Sequence, residues 1–435
     1  MSSEWKLVTL KEITSVLGDG LHGTPEYDPN GDYFFINGNN LSDGKIVFSE
    51  TTKRVSAIES NKHKKNLTDR TILVSINGTL GNVAFYAGEK VVLGKSACYF
   101  NVMDSVDKHF IRYVLDSEIF QGYIQNLATG STIKNVSLKL MRDFQFNLPP
   151  IDIQRQISGA LSCLDDRITL LRETNTTLEA IAQALFKSWF VDFDPVHAKM
   201  QGGVPEGMDE ATAALFPDGF EESELGLVPR GWRVVETASV TDILNGFAFK
   251  SDDYVPSETG IFVLRTTNFS SDGYATRLEK DVFLPNSYIS SHQKFLCQAF
   301  DFHLVMVGAS VGHTSLLLPH MLPALRNQNM WCFRAKPSFP PKFFIHELVK
   351  INLKQALRST SGSAREFLRK SDFSLIKVLI PSESILTVFE NQLAVLKDSI
   401  ANNMHQASTL ASLRDTLLPR LISGQLRVGE NQVSN

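Results

Sequence analysis

The sequence predicts an α+β chain built twice over. Two similar α/β domains are each followed by a long helix, the two helices pack antiparallel as a coiled coil, and the halves are related by an internal pseudo-two-fold repeat. Three observations predict this. An apolar heptad seam runs from Pro149 to about Trp189. A copy of that seam lies 232 residues further along the chain. Short alternating apolar runs, separated by turn dipeptides such as Asp43-Gly44 and Asn77-Gly78, precede each helix.

The elements follow in order. Residues 5–16 (WKLVTLKEITSV) read as an opening strand and a short helix, and residues 18–27 (GDGLHGTPEY) as a Gly/Pro-rich loop. Strand-like runs occupy 33–36, 45–48, 71–76, 83–86, 91–93 and 97–102, and residues 110–127 read as one helix. This α+β domain, residues 1–148, ends where Pro149 and Pro150 close a strand and set up a helix start. In the helix assigned to 149–195 the seam comprises Ile157, Leu161, Leu164, Ile168, Leu178 and Leu185, interrupted by Asn175. At about 1.5 Å per residue, roughly forty residues make a rod of about 60 Å.

Residues 196–230 form an acidic, Gly/Pro-rich connection, too polar for a core and expected to be a linker. The first domain then restarts over 231–381. Trp232-Arg-Val-Val repeats Trp5-Lys-Leu-Val, Asp272-Gly273 repeats Asp43-Gly44, and residues 306–312 repeat 75–81, with a shift that grows from 227 to 231. Residues 382–425 make the second rod, with Phe389, Leu393, Leu396, Ile400, Leu410 and Leu417 in its seam and Asn403 where the first has Asn175. One constant shift fits both helices and the strands before them, which argues against two unrelated amphipathic helices. Seam leucines such as Leu164 and Leu396 are expected to be buried between the rods.

Composition narrows the class. The hydrophobic fraction of 43% is ordinary for a globular protein. No apolar stretch approaches membrane-span length, and MSSEWKLVTL has no signal-peptide core, so a cytoplasmic location is expected. Cys98, Cys163, Cys297 and Cys332 are scattered without a CxxC pair and read as reduced cysteines rather than a zinc or disulfide framework. The acids are concentrated: removing the seven in residues 201–229 from a chain of net charge −4 leaves +3. A basic surface suited to nucleic acid is therefore compatible with the composition.

The enzymatic motifs fail on context. Gly18-Asp-Gly-Leu-His-Gly23 matches GxGxxG literally, but Thr24-Pro25 follow where a dinucleotide site needs a helix start. Asn147-Leu-Pro-Pro150 has Leu where an amino-methyltransferase loop needs Pro, and it opens a helix. No HExxH sequence is present. Asp165-Asp166 reads as a solvated face of the first rod.

Loop chemistry remains. Lys53, Arg54, Lys62, His63, Lys64, Lys65 and Arg70, interleaved with Asn61 and Asn66, make a basic run suited to phosphate contact. Gly130-Ser131-Thr132 with Lys134, and Gly362-Ser363 with Arg365 and Arg369, occupy equivalent places before each rod. There glycine lets backbone amides approach a phosphate, and Ser, Lys and Arg can donate to it. Asn37, Asn39, Asn40, Arg265, Thr266 and Asn268 lie at corresponding strand ends, and Asn and Arg suit bidentate reading of adenine and guanine.

Over essentially its full length the chain resembles the specificity subunits of type I restriction-modification enzymes. The resemblance is carried by GDGLHGTPEY and FINGNNLSDGKI in the first domain and NGFAFKSDDY in the second. With them go ATGSTIKNVS before LPPIDIQRQI, and the block after the first rod, WFVDFDPVHAKMQGG to LFPDGFEESELGLVPRGW. It implies two target-recognition domains held apart by the helices, each reading one half of a bipartite, asymmetric double-stranded DNA site, with Asp19, His22 and Thr24 among the DNA-contacting candidates. It implies a chain with no catalytic residue, metal or cofactor of its own. Two methyltransferase (modification) subunits with S-adenosylmethionine would methylate adenine, and restriction (endonuclease) subunits would cleave using ATP and Mg. The helices would set the spacer and dock the methyltransferases. The second rod departs from the pattern, opening on IPSESILTVFENQL. An adenine methyltransferase with unfamiliar motifs and a coiled-coil scaffold without DNA contact are the alternatives.

Overall fold

The computed structural model describes residues 5–130, 134–256, 259–358 and 368–428. The chain divides into two units, Met1–Leu170 with Ala407–Asn435, and Leu171–Gln406.

In unit 1, β1 (Thr14–Asp19), β2 (Thr71–Asn77), β3 (Thr79–Phe85) and β4 (Ala97–Val102) form an antiparallel sheet in the order β1-β4-β2-β3. All six residues of β4 and the first six of β2 are buried, so these inner strands read as continuous apolar runs. A smaller sheet places Tyr33–Ile36 between Arg54–Val55, antiparallel, and Val91–Leu93, parallel. Lys6–Thr9 pairs antiparallel with Gln145–Leu148, the strand just before the first long helix.

Unit 2 repeats this plan. β5 (Thr241–Asn245), β6 (Phe302–Val305), β7 (Thr314–Leu316) and β8 (Met330–Ala335) lie in the order β5-β8-β6-β7. Gly260–Leu264 lies between Phe283–Pro285, antiparallel, and Ala324–Arg326, parallel. Arg233–Glu236 pairs with Lys377–Ile380 before the second long helix. The weak sequence repeat is thus a repeat of strand order.

The single helix expected over 110–127 is two, α1 (Lys108–Asp116) and α2 (Glu118–Leu127). Ser117 takes an extended conformation and its hydroxyl donates to the Val114 carbonyl at 2.6 Å, closing one helix and opening the next. The expected linker is also folded. Asp194–Met200 and Glu210–Ala214 are helical, and Phe220–Ser223 pairs with Gly226–Pro229. Val196 and Phe216 are buried, and Phe216 meets Trp189 edge-on at 5.1 Å. A few apolar anchors hold a segment whose average composition is polar.

The long helices are α3 (Ile151–Phe190) and, following α4 (Lys342–Arg358), α5 (Glu383–Ile422). Within unit 1, Ile157 and Leu161 of α3 share a core with Leu418, Leu421 and Ile422 of α5. Within unit 2, Ala182, Phe186 and Trp189 share one with Phe389, Leu393 and Ile400. Both pairings run antiparallel. Asn175 and Asn403, the two seam interruptions, are partners: the Asn403 amide donates to Asn175 Oδ1 at 2.9 Å.

The expected seam drifts. Leu164, Leu178, Leu185, Leu396, Leu410 and Leu417 are only half-buried, while Phe186 and Leu418 are buried. An α-helix of 3.6 residues per turn slips about 0.2 residue per heptad against a seven-residue repeat. From Ile157 to Leu185, and from Phe389 to Leu417, the slip approaches one residue, which moves the buried position one step towards the C-terminus.

Candidate nucleic-acid interface

The 18–27 loop is shaped by backbone approach. A Cβ on Gly20 would stand 2.1 Å from the Leu93 carbonyl oxygen, and Leu21 N–H donates to that oxygen at 2.7 Å. Gly246 does the same in unit 2, where a Cβ would meet the Asn327 oxygen at 1.7 Å. These glycines serve strand packing, not phosphate. Thr24 is exposed, and exposed His22 hydrogen-bonds Asp19 at 2.7 Å.

The basic run divides by what each side chain touches. Arg70 donates to the carbonyls of Val102, Met103 and Val106 and is structural. Lys53 lies over the Tyr27 ring and Arg54 over Phe34. Ser56 caps the helix Ala57–Lys62. Lys62 bonds the buried Glu59 at 2.7 Å, which holds that carboxyl far below the usual range, at about 2. Lys64 is exposed and Lys65 half-buried. Together with His63, Lys90, Tyr33 and Tyr86 they line a cavity of about 280 Å³.

The strand-end asparagines have two roles. Asn40 Oδ1 accepts from Asn37 N–H, and its amide donates to the Val47 carbonyl. Asn37 Oδ1 accepts from Ser96. Arg265 and Asn268 reproduce this turn: Asn268 Oδ1 accepts from Arg265 N–H, and the Asn268 amide donates to Thr276 and Asp281. Asn268 is 0% exposed, and the Arg265 guanidinium donates to the Lys280 carbonyl. Asn268, expected among the DNA contacts, instead shapes a loop, because the turn takes up its hydrogen-bonding groups, while Arg265 stays half-exposed. The Asn39 side chain is exposed, with no hydrogen-bond partner among the described residues.

Ser131, Ser363 and Arg365 lie outside the described residues. The stem of the first Gly-Ser loop closes through reciprocal Thr129–Asn135 backbone bonds. Gly78 N–H donates to the Lys134 carbonyl, which sets Lys134 beside the Asn77-Gly78 turn of the β2–β3 hairpin. Lys134 is exposed and reaches Gln125 at 3.2 Å. In unit 2, Leu368 N–H donates to the Met306 carbonyl in the corresponding place, and Arg369 is exposed.

Sequence reasoning missed two ion clusters on the rods. Asp165 is not solvated: it accepts from Tyr113 Oη at 2.8 Å and Arg414 Nη1 at 2.7 Å, and Arg112 stands 3.2 Å away. In unit 2, buried Lys397 meets Glu179, which also accepts from Tyr274 Oη at 2.8 Å. Burial pushes the Glu179 pKa up, but Lys397 and Lys350 outweigh it and hold the carboxyl at about 2. Asp165 and Lys397 are themselves 232 residues apart, so a repeat in charge position was present in the sequence.

Among the described residues no helix is long and apolar enough to cross a membrane. A family model described as the type I restriction modification DNA specificity domain matches residues 2–180. The chain is 23% identical to the type I restriction enzyme MjaIX specificity subunit of Methanocaldococcus jannaschii, over 98% of this chain and 94% of that protein. It is 27% identical to the HindI specificity subunit of Haemophilus influenzae, over 73% of this chain and 77% of that one. The crystal structure of a type I restriction-modification S subunit from M. genitalium superposes with a TM-score of 0.55 at 19% identity, covering 96% of each chain.

Proposed function

We infer that the chain is a specificity subunit of a type I restriction-modification system, and that unit 1 and unit 2 each read one half of a bipartite DNA site. The repeated strand order supports this most. Both units keep the same turn at the strand end, Asn37–Asn40 in one and Arg265–Asn268 in the other, and the same glycine under the first loop. A shared framework with different exposed residues suits two readers of different sequences.

The chain acts without catalytic residues of its own. Methyltransferase subunits supply S-adenosylmethionine chemistry, and restriction subunits supply ATP- and Mg-dependent cleavage, in the cytoplasm. Lys64 and Lys65 contact phosphate, Asn39, His22 and Thr24 face the groove, and the long helices set the spacer and dock the methyltransferases. The test is to exchange residues 1–146 for the equivalent domain of a relative, express the chimera with its modification subunits and map methylated sites. One half-site is expected to change while the other persists. Simultaneous change of both halves would overturn the two-reader assignment.

A further inference from the structure

The core of unit 2 holds a group of polar side chains that DNA reading does not use. Cys297, Asp301 and His303 are buried, and their Sγ, carboxylate oxygen and ring nitrogen lie within 4.8 Å of one another. His303 is 0% exposed, and neither of its ring nitrogens has a hydrogen-bond partner. Leaving both unmatched in a dry interior is costly.

The backbone brings these groups together from a short stretch. Asp301 and Gln298 close a turn in which Gln298 N–H donates to Asp301 Oδ2 at 2.8 Å, and the chain then enters β6 at Phe302. His303 lies directly opposite Cys332 of β8, so the two side chains share a face of the sheet. Cys332 is 0% exposed.

We propose that Cys297, Asp301, His303 and Cys332 form a closed structural site for a divalent transition metal of the zinc class. Two thiolates, an imidazole and a carboxylate are a donor set that zinc accepts. Tetrahedral ligands at 2.0–2.3 Å stand about 3.3–3.8 Å apart, so Cys297, Asp301 and His303 close by small side-chain rotations, and Cys332 turns in as the fourth ligand. Asp301 is already held from behind by Arg334, at 2.9 and 2.5 Å, as a carboxylate ligand is by its outer partner. The charge balance is compatible. Arg326 is also buried here, its guanidinium bonded to the carbonyls of Asn245, Leu296 and Lys294, so two cations face one carboxylate. A divalent ion that binds as both thiols lose their protons to solvent adds no net charge to that interior. The site would pin the 297–301 turn to the inner strands of the sheet.

The test uses the full chain, incubated with Zn2+ and then gel-filtered. About one zinc per chain is expected to remain. Co2+ in its place is expected to give a thiolate-to-metal charge-transfer band. Cys297→Ser and His303→Gln are expected to abolish the band, and Cys163→Ser, which removes the exposed thiol, to retain it. Arg334→Gln is expected to weaken zinc binding about 10- to 100-fold. Should the core variants fail to fold, the wild-type chain decides alone: a chelator is expected to lower its melting temperature and zinc to restore it. A folded wild-type chain that carries no zinc and melts identically with chelator would overturn the proposal, leaving a metal-free core. A cobalt band that depends on Cys163 would overturn it too.

Discussion

Lys64 and Lys65 differ from Lys62 in what holds them. Lys62 is tied to Glu59, whereas neither neighbour has a carboxylate partner among the described residues. Lys64→Ala with Lys65→Ala is expected to weaken DNA binding about equally for all sequences and to flatten the log–log salt slope by about 0.9 for each phosphate that is no longer neutralised. Binding isotherms at several salt concentrations check this, and an unchanged slope would place both lysines outside the interface. Glu179 makes a pH prediction. Its folded pKa of about 2 lies below the ordinary 4.5, so it stabilises the fold above about pH 4.5, and this contribution is lost as pH falls towards 2. Glu179→Gln is expected to cost about 3 kcal/mol at pH 7 and to flatten the stability profile across that acid window. Denaturant titrations at stepped pH measure both.

At the scale of elements, the Asn175–Asn403 pair fixes how α3 and α5 align within unit 2. A polar pair in an apolar seam specifies register at some loss of stability. Asn403→Leu alone leaves Asn175 Oδ1 without its donor and is expected to cost about 1–3 kcal/mol. Replacing both by Leu is expected to recover that stability or exceed it, because the unmet hydrogen bond disappears. Chemical denaturation of the two variants separates the outcomes; equal destabilisation by the single and double changes would remove the pair from the register assignment.

At the scale of the molecule, each long helix is continuous and contributes residues to both units. If the helices set the unread spacer, four residues inserted at Thr176-Thr177, with four more across the seam at Ala401-Asn402, lengthen both rods by about 6 Å. Two base pairs of B-DNA rise about 6.8 Å. The insertion is expected to lengthen the spacer by one to two base pairs while both half-sites keep their sequence. Methylation-site mapping of the complex reads this directly, and an active insertion variant with an unaltered spacer would separate the rods from spacing.

The sequence by itself determined the two rods, the repeat and the strand runs, because periodic apolar residues and turn dipeptides act locally. It located Asn175 and Asn403 as interruptions, and only packing made them partners. It marked Asn268 and Arg265 as base readers because residue type suggests chemistry. The tertiary structure buried Asn268, because a turn needed its hydrogen-bonding groups more than solvent did. Asp165 looked solvated on a helix wheel and became an ion-pair anchor because Arg414 arrives from the far end of the chain. Cys297, Asp301, His303 and Cys332 carried no metal-ligand spacing in the sequence, since the fourth comes from another strand. What depends on i to i+4 neighbours could be read along the chain. What depends on which distant strand or helix lies opposite was decided by the fold, because strand pairing and helix docking join residues that the linear spacing does not connect.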